Sequence, residues 1–113
     1  MDRAELVANF SQELRRGTLI LCVLANLKEP TYGYGLIEML SKTGISIEAN
    51  TLYPLLRRLE GQGLLASTWN TEGAKPRKYY NLTGLGEEVL GELKTHWHGM
   101  VRSMNEILEV SDR

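Results

Sequence analysis

The chain has 113 residues, of which 42% are hydrophobic and 24% are charged, a composition typical of a compact globular domain that excludes a disordered or fibrous chain. Thirteen Lys and Arg against fourteen Asp and Glu give a formal net charge of -1, so no global positive field marks the whole chain as a nucleic-acid binder. A single cysteine, Cys22, excludes an internal disulfide framework. Because neither a secretory signal nor an apolar run of roughly 20 residues is found, we expect a cytoplasmic protein with no membrane segment.

Two helices are predicted in the first part of the chain. Apolar residues crowd one broad face of the segment from Leu6 to Leu27, which predicts a long first helix that Pro30 closes. Thr31 is the expected cap of a second helix, and Gly44 is its expected end.

A third helix is predicted after Gly44, with Ser46 or Asn50 as its cap and Gly61 near its end. Its apolar stripe consists of Leu52, Leu55, Leu56 and Leu59. Pro54 lacks an N–H group and is tolerated only near the first turn of a helix. The regular helix therefore either begins late or bends at Pro54.

Two β-prone runs, residues 64–70 and 77–82, flank a segment that contains Gly, Pro and charged residues, which predicts a β-hairpin. Thr83 is the expected cap of a last helix. The apolar residues of that helix recur at an interval close to the 3.5 residues of a coiled-coil seam. They are Leu82, Leu85, Val89, Leu93, Trp97, Met100, Met104 and Ile107. Interior glycines weaken an isolated helix, so this one is expected to need a partner surface.

The predicted fold class is therefore mostly α with a small β-hairpin, arranged as a winged helix-turn-helix with a long C-terminal helix. Residues 1–82 form the expected DNA-binding domain. Residues 83–113 form the expected dimerisation helix, which packs on the first helix.

The third helix presents a polar face opposite its leucine stripe. Asn50, Pro54, Arg57 and Gly61 fall on that face, and Tyr53 flanks it. Amide, phenol and guanidinium groups are the chemistry that reads base edges and binds phosphates. An ordinary amphipathic helix with a solvated basic face would show the same pattern.

The hairpin tip repeats the basic signal, with Lys75, Arg77 and Lys78 around a proline. Residues 42–80 hold six cations against three carboxylates, a balance of +3, whereas residues 81–113 hold three cations against six carboxylates, a balance of -3. A near-neutral total thus contains a basic half and an acidic half, which favours a protein that meets DNA with one face.

Three segments, Tyr32–Ile37, Thr51–Leu64 and Arg77–Thr83, together with Gly86, resemble the PadR-type winged-helix transcriptional regulators. The single long C-terminal helix is similar to the short subfamily of these regulators. The resemblance implies a homodimeric repressor that binds DNA and responds to small molecules. It also implies that a tryptophan of the C-terminal helix stacks on flat aromatic compounds at the dimer centre, and Trp97 stands at that place.

The predicted partners are a second copy of the chain, duplex DNA with a pseudo-palindromic site, and a small planar hydrophobic ligand. The predicted DNA contacts are Tyr34, Asn50, Thr51, Tyr53, Arg57, Lys75, Arg77 and Lys78. The predicted ligand contacts are Trp97 and Met100, and the predicted dimer contacts are Leu85, Val89, Leu93, Trp97, Met104 and Ile107. A different ligand, or none, stays open, since no carboxylate stands one turn beyond Trp97.

Enzymatic activity is not expected, because no catalytic constellation can be named and neither a cofactor nor a metal site is predicted. His96 and His98 lie about 200° apart around a helix, so they do not chelate one metal ion together. The alternative function is a winged-helix module that binds an acidic protein partner instead of DNA.

Overall fold

The structure is a computed structural model that describes residues 1–111, with side chains through Glu109. Its elements in chain order are α1 (Arg3–Arg16), α2 (Thr18–Ala25), β1 (Thr31–Tyr32), α3 (Gly33–Lys42), α4 (Ala49–Gly61), β2 (Leu65–Asn70), β3 (Arg77–Leu82) and α5 (Gly84–Ser111). This order is a winged helix-turn-helix followed by one long helix, and it confirms the predicted fold class. Residues 112–113 of the predicted dimerisation helix lie outside the described residues.

The segment predicted as one long first helix forms two helices that meet at Gly17. Glycine is a weak helix former, so it marks a point where the chain can change direction at little cost. The Thr18 hydroxyl donates a hydrogen bond to the Arg15 carbonyl over 2.8 Å and so satisfies a carbonyl in the last turn of α1. The apolar stretch therefore divides into α1, which contains no buried residue, and α2, which enters the core.

The start of the second predicted helix differs from the expectation. Thr31 and Tyr32 form the short strand β1, and Tyr32 occupies the cap position of α3. Thr31 was expected to cap this helix, but its hydroxyl donates to the Glu29 carbonyl over 3.0 Å instead. A two-residue strand carries too little periodic pattern to be seen in a sequence, since only its partner strand defines it. The end of α3 matches the prediction, because Gly44 follows it with a φ of +85°.

Helix α4 begins earlier than the proline led us to expect. Glu48 occupies the cap position without a side-chain cap bond, so neither Ser46 nor Asn50 caps the helix. Pro54 lies inside the helix, where its missing N–H removes the partner of the Asn50 carbonyl. Both residues are exposed, so water can solvate that carbonyl, and the helix tolerates the proline.

The three strands form an antiparallel sheet in the order β1-β3-β2. In the hairpin Ser67 stands opposite Tyr80, and Trp69 stands opposite Lys78. The predicted hairpin is thus present, and β1 adds a third strand along the other edge of β3. The hairpin with its loop, residues 65–82, is the wing.

The core lies between α2, α3, α4, the sheet and the first turns of α5. Its fully buried large side chains are all aliphatic, namely Val23, Leu24, Leu27, Leu36, Leu40, Leu52, Leu56 and Leu59. Thr83 caps α5 as predicted, because its hydroxyl accepts from the Gly86 N–H over 3.0 Å. The same hydroxyl donates to the Gly63 carbonyl over 2.7 Å, which ties the end of α4 to the start of α5.

Helix α5 extends beyond this core and contacts α2, the second half of the segment predicted as the first helix. Most of its predicted seam faces solvent, with Leu85, Trp97, Met100, Met104 and Ile107 exposed. Val89 and Leu93 are half-buried. Helix α1 likewise exposes Leu6, Val7, Phe10 and Leu14. Among residues 1–111, no helix is both long and apolar enough to span a membrane.

Candidate nucleic-acid interface

The two faces of α4 differ in the way the sequence predicts. Leu52, Leu56 and Leu59 are buried in the core, whereas Asn50, Thr51 and Arg57 are exposed. The leucines hold the helix against α3 and β2, so the polar side chains are presented on a fixed support. This exposed face carries an amide, a hydroxyl and a guanidinium group, which together can donate to and accept from base edges and phosphates.

Tyr53 lies at the junction between α3 and α4 and is half-buried. A Cβ atom on Gly33 would collide with the Tyr53 ring, so the phenol fills the place that a side chain at residue 33 would take. The Tyr53 and Tyr34 rings meet edge to face, with centroids 6.2 Å apart and an interplanar angle of 71°. Tyr53 therefore fixes the packing of the two helices and also supports Tyr34, which is 62% exposed.

Burial raises the pKa of the Tyr53 phenol, and repulsion from the Tyr34 and Tyr80 phenolates would raise it further. The hydroxyl therefore stays protonated at neutral pH, where it can donate a hydrogen bond. Among the predicted DNA contacts of α4, Tyr53 is thus a neutral hydrogen-bond donor at the edge of the polar face, whereas Arg57 carries a charge.

The cations of the wing are not equivalent. Lys75 and Arg77 are exposed, and the Arg77 guanidinium lies 4.4 Å from the centroid of the Tyr32 ring. The Tyr32 ring in turn meets that of Tyr79, with centroids 5.5 Å apart. A cation over an aromatic face is attracted by the ring quadrupole, so Arg77 is held near the sheet while Lys75 extends from the loop.

Lys78 is half-buried and faces α4. Its Nζ lies 3.4 Å from Oε1 of Glu60 and 5.3 Å from the centroid of the Tyr80 ring. Burial disfavours its charge, but Tyr80 and Glu60 favour it more strongly, and the pKa of Lys78 is raised. The sequence predicted a third free cation at the tip, whereas the structure places this ammonium in an ion pair.

Glu60 was not singled out in the sequence, and it is the partner of two wing residues. Its Oε2 accepts a hydrogen bond from the Ser67 hydroxyl, and its Oε1 faces Lys78. The hydrogen bond from Ser67 lowers the pKa of the Glu60 carboxyl, with Lys78 contributing after it. Because these partners lie 7 and 18 residues beyond Glu60 and on two other elements, no spacing within one helix could have indicated the contact.

A groove with a volume of about 690 Å³ lies between α5 and the junction of α1 and α2. Trp97, Met100 and Met104 line one side, and Leu14 and Leu21 line the other. The two predicted ligand residues, Trp97 and Met100, and three of the predicted dimer residues, Leu93, Trp97 and Met104, therefore border one apolar groove. Its volume lies within the range of roughly 300 to 1,000 Å³ that small-molecule sites occupy.

The remaining reactive side chains do not form a chemical site. Burial raises the pKa of the Cys22 thiol, which disfavours the nucleophilic thiolate. Among the described residues, no group of three or more His, Cys, Asp and Glu is placed to hold a metal ion.

Comparisons with known proteins agree on one family. The model of the transcriptional regulator PadR-like family matches residues 20–92. A transcriptional regulator of Mycobacterium tuberculosis is 33% identical over 82 residues, which cover 72% of this chain and 77% of the relative.

Solved structures are similar over nearly the whole chain. A PadR family transcriptional regulator from Eggerthella lenta is 53% identical, with a TM-score of 0.89 and coverage of 94% of this chain and 95% of the other. A PadR-like transcriptional regulator from Bacillus cereus is 32% identical, with a TM-score of 0.77 and coverage of 85% and 96%. With a family match over most of its length and a polar helix beside a basic wing, the chain belongs to the PadR-like family and is a DNA-binding transcription regulator, not an enzyme.

Proposed function

We propose that the protein is a dimeric, sequence-specific repressor that places α4 in the major groove of duplex DNA and the wing on the adjacent backbone. One observation carries this proposal: the exposed polar face of α4 lies on the same winged helix-turn-helix as the exposed cations Lys75 and Arg77. A helix has the width to enter the major groove, and flexible cations at a hairpin tip suit phosphate contacts.

In this proposal Asn50, Thr51 and Arg57 of α4 contact base edges and phosphates. Tyr53 donates from the edge of the same face, and Tyr34 contacts the backbone from the start of α3. Lys75 and Arg77 contact phosphates from the wing. The stacking of Arg77 on Tyr32 supports its part, because a guanidinium that is already oriented loses less freedom on binding.

In this proposal the dimer forms through the apolar seam of α5. The apolar face of α1 contributes to the same interface. The exposed seam residues of α5 and the exposed apolar face of α1 support it, because large contiguous apolar patches on a small protein mark interaction surfaces. Two-fold symmetry then requires a pseudo-palindromic operator, with half-sites about 34 Å apart or a multiple of that distance.

We further propose that a planar hydrophobic compound binds the groove beside Trp97 and releases the repressor from DNA. The groove supports this, because Trp97 and Met100 offer a flat ring and an adaptable thioether on one apolar wall. In a Trp69→Phe variant, whose single remaining tryptophan is Trp97, planar hydrophobic compounds are expected to quench the fluorescence. The matched Trp97→Phe variant keeps only Trp69 and is expected not to respond, and an equal response in both variants would contradict the groove as the binding site.

The DNA proposal is tested by selecting duplexes from a random-sequence pool and measuring the selected duplex against a scrambled one by fluorescence anisotropy. At physiological salt we expect a pseudo-palindromic site and a preference of about a thousandfold or more. Weak binding that is equal for both duplexes and lost in salt would favour the protein-interaction module instead. Repression is tested with a reporter gene behind the selected site, whose transcription should fall when the chain is expressed; unchanged or increased transcription would contradict a repressor.

A further inference from the structure

Three elements of the winged half meet at one carboxylate. Glu60 lies in the last turn of α4, accepts from Ser67 of β2 and pairs with Lys78 of β3. Both wing residues lie on the face of the hairpin that meets α4, since Ser67 stands opposite Tyr80 and Lys78 is two residues away on the same strand. Glu60 therefore contacts both strands of the wing at once.

The contacts of Glu60 lie where the buried part of the hairpin ends and its exposed part begins. The base of the wing is held by the buried residues Leu65, Tyr80 and Leu82. Beyond Ser67, every residue from 68 to 77 is exposed, including the whole tip. The bonds from Glu60 thus hold the hairpin to α4 at the point where the buried support ends, and the tip extends from that point.

We propose that Glu60 is a positioning residue that sets the orientation of the wing relative to α4, and that Lys78 serves this contact instead of binding a phosphate. This inference rests on the proposed DNA-binding mode. Lys78 suits the role because its ammonium is held between the carboxylate and the Tyr80 ring. The side chains of Lys78 and Glu60 are only 31% and 32% exposed, so neither is free to extend toward solvent as Lys75 is.

A purely electrostatic role of Glu60 and a positioning role predict opposite effects on DNA affinity when its charge is removed. If a carboxylate beside the DNA face acted only through its charge, removing it would strengthen binding, because like charges repel. If Glu60 instead positions the wing, removing its charge weakens binding, because the tip cations lose their alignment with the backbone. Glu72, an exposed carboxylate near the tip of the wing, provides the matched control for the charge effect.

The experiment measures the affinity of Glu60→Gln, Lys78→Met and Glu72→Gln for the selected duplex over a series of salt concentrations. Glu60→Gln and Lys78→Met are each expected to weaken binding by about two- to fivefold, the range that one partly exposed ion pair contributes. The double variant should be no weaker than either single variant, because both remove the same contact. Glu72→Gln should bind at least as tightly as the unaltered protein.

The salt dependence separates positioning from phosphate contact. The slope of log K against log salt should be unchanged in Lys78→Met and reduced by about 0.9 in Lys75→Ala, since each lost phosphate contact removes about that much. Glu60→Gln that binds as tightly as the unaltered protein, or Lys78→Met that lowers the slope by a full contact, would overturn the proposal.

A measurement without DNA keeps this inference separate from the proposed function. Amide order parameters of residues 68–77 are expected to fall in Glu60→Gln, because the wing loses the ion pair between Lys78 and residue 60 of α4. Order parameters equal to those of the unaltered protein would overturn the inference even if DNA binding were specific. If the unaltered protein showed no sequence preference, the proposed function would fail, and the order of the wing would still decide what Glu60 does.

Discussion

The winged half, residues 18–90, and the helical half, made of α1 and the rest of α5, use apolar residues in opposite ways. In the winged half the leucines of α2, α3 and α4 meet one another and are buried. In the helical half α1 contains no buried residue, and beyond Leu90 no described side chain of α5 is buried. Both halves contain apolar residues, but only the first half buries a large share of its own.

This difference in burial shows which apolar surface one chain covers by itself and which it leaves exposed. The polar face of α4 and the wing are fixed by a finished core, so a single chain already presents the surface that we propose binds DNA. The apolar faces of α1 and α5 remain exposed, and isolated helices of this kind are marginal in water. The proposed dimer would cover them.

The largest expected effect is in the winged half. Leu56→Ala should lower the free energy of unfolding by about 2 to 5 kcal/mol, because it leaves a cavity in a fully packed core. Leu14→Ala removes the same atoms from a side chain that is 79% exposed, and it should shift the monomer–dimer equilibrium while the winged half stays folded. Urea unfolding and sedimentation velocity measure the two effects, and a cost below about 1 kcal/mol for Leu56→Ala would contradict the described core.

Two of the glycines in α5, Gly86 and Gly91, sharpen the boundary between the halves. A Cβ atom on Gly86 would strike the Leu64 carbonyl, so Gly86→Ala should cost roughly 1 to 3 kcal/mol through backbone displacement. Nothing lies within 4 Å of a Cβ atom on Gly91, and Gly91→Ala should stabilise the helix by up to about 1 kcal/mol. Thermal unfolding of both variants measures the difference, and an equal effect of the two substitutions would place the boundary elsewhere.

The helical half can be disrupted by one charge. Met104→Glu should weaken dimerisation by at least about tenfold, or roughly 1.4 kcal/mol, because it buries unpaired carboxylates in the proposed interface. Met39→Glu is the control, since Met39 is a partly exposed methionine of α3 outside the seam. Sedimentation velocity over a dilution series measures both, and a Met104→Glu protein that dimerises like the control would contradict the assignment of the seam.

The smallest expected effect is the pH dependence contributed by Glu60. Its pKa in the folded protein is lowered from the ordinary value of 4.5, so the carboxylate adds stability above that value and loses it as the pH falls through the lowered pKa. The contribution is below about 1 kcal/mol, because the pair is partly exposed. Urea unfolding from neutral pH into the acid range should show the difference between the unaltered protein and Glu60→Gln shrinking, and a difference that grows would contradict the sign.

Much of the fold could be predicted because its signals are local. The leucine stripe of α4, the Thr83 cap and the basic turn of the wing each lie within a few residues of sequence, and the structure contains all three. The resemblance to the family then placed these signals in one architecture.

The features that sequence reasoning missed depend on tertiary partners. Strand β1 exists only because β3 lies beside it. The break at Gly17 is the exception, since a glycine inside an apolar run is a local signal. The ion pair between Lys78 and Glu60 joins residues 18 positions apart. The local pattern of wing cations therefore could not show that Lys78 is paired whereas Arg77 is exposed. The exposed placement of Asn50, Thr51 and Arg57 was predictable, because a buried leucine stripe defines its own opposite face.

The winged half is complete within one chain, and we propose that a second copy completes the helical half. Sedimentation velocity of the unaltered protein at micromolar concentration distinguishes a dimer from a monomer. We expect a species of twice the 12.8 kDa chain mass that persists on dilution and dissociates in the Met104→Glu variant. A folded 12.8 kDa monomer throughout the series would contradict it.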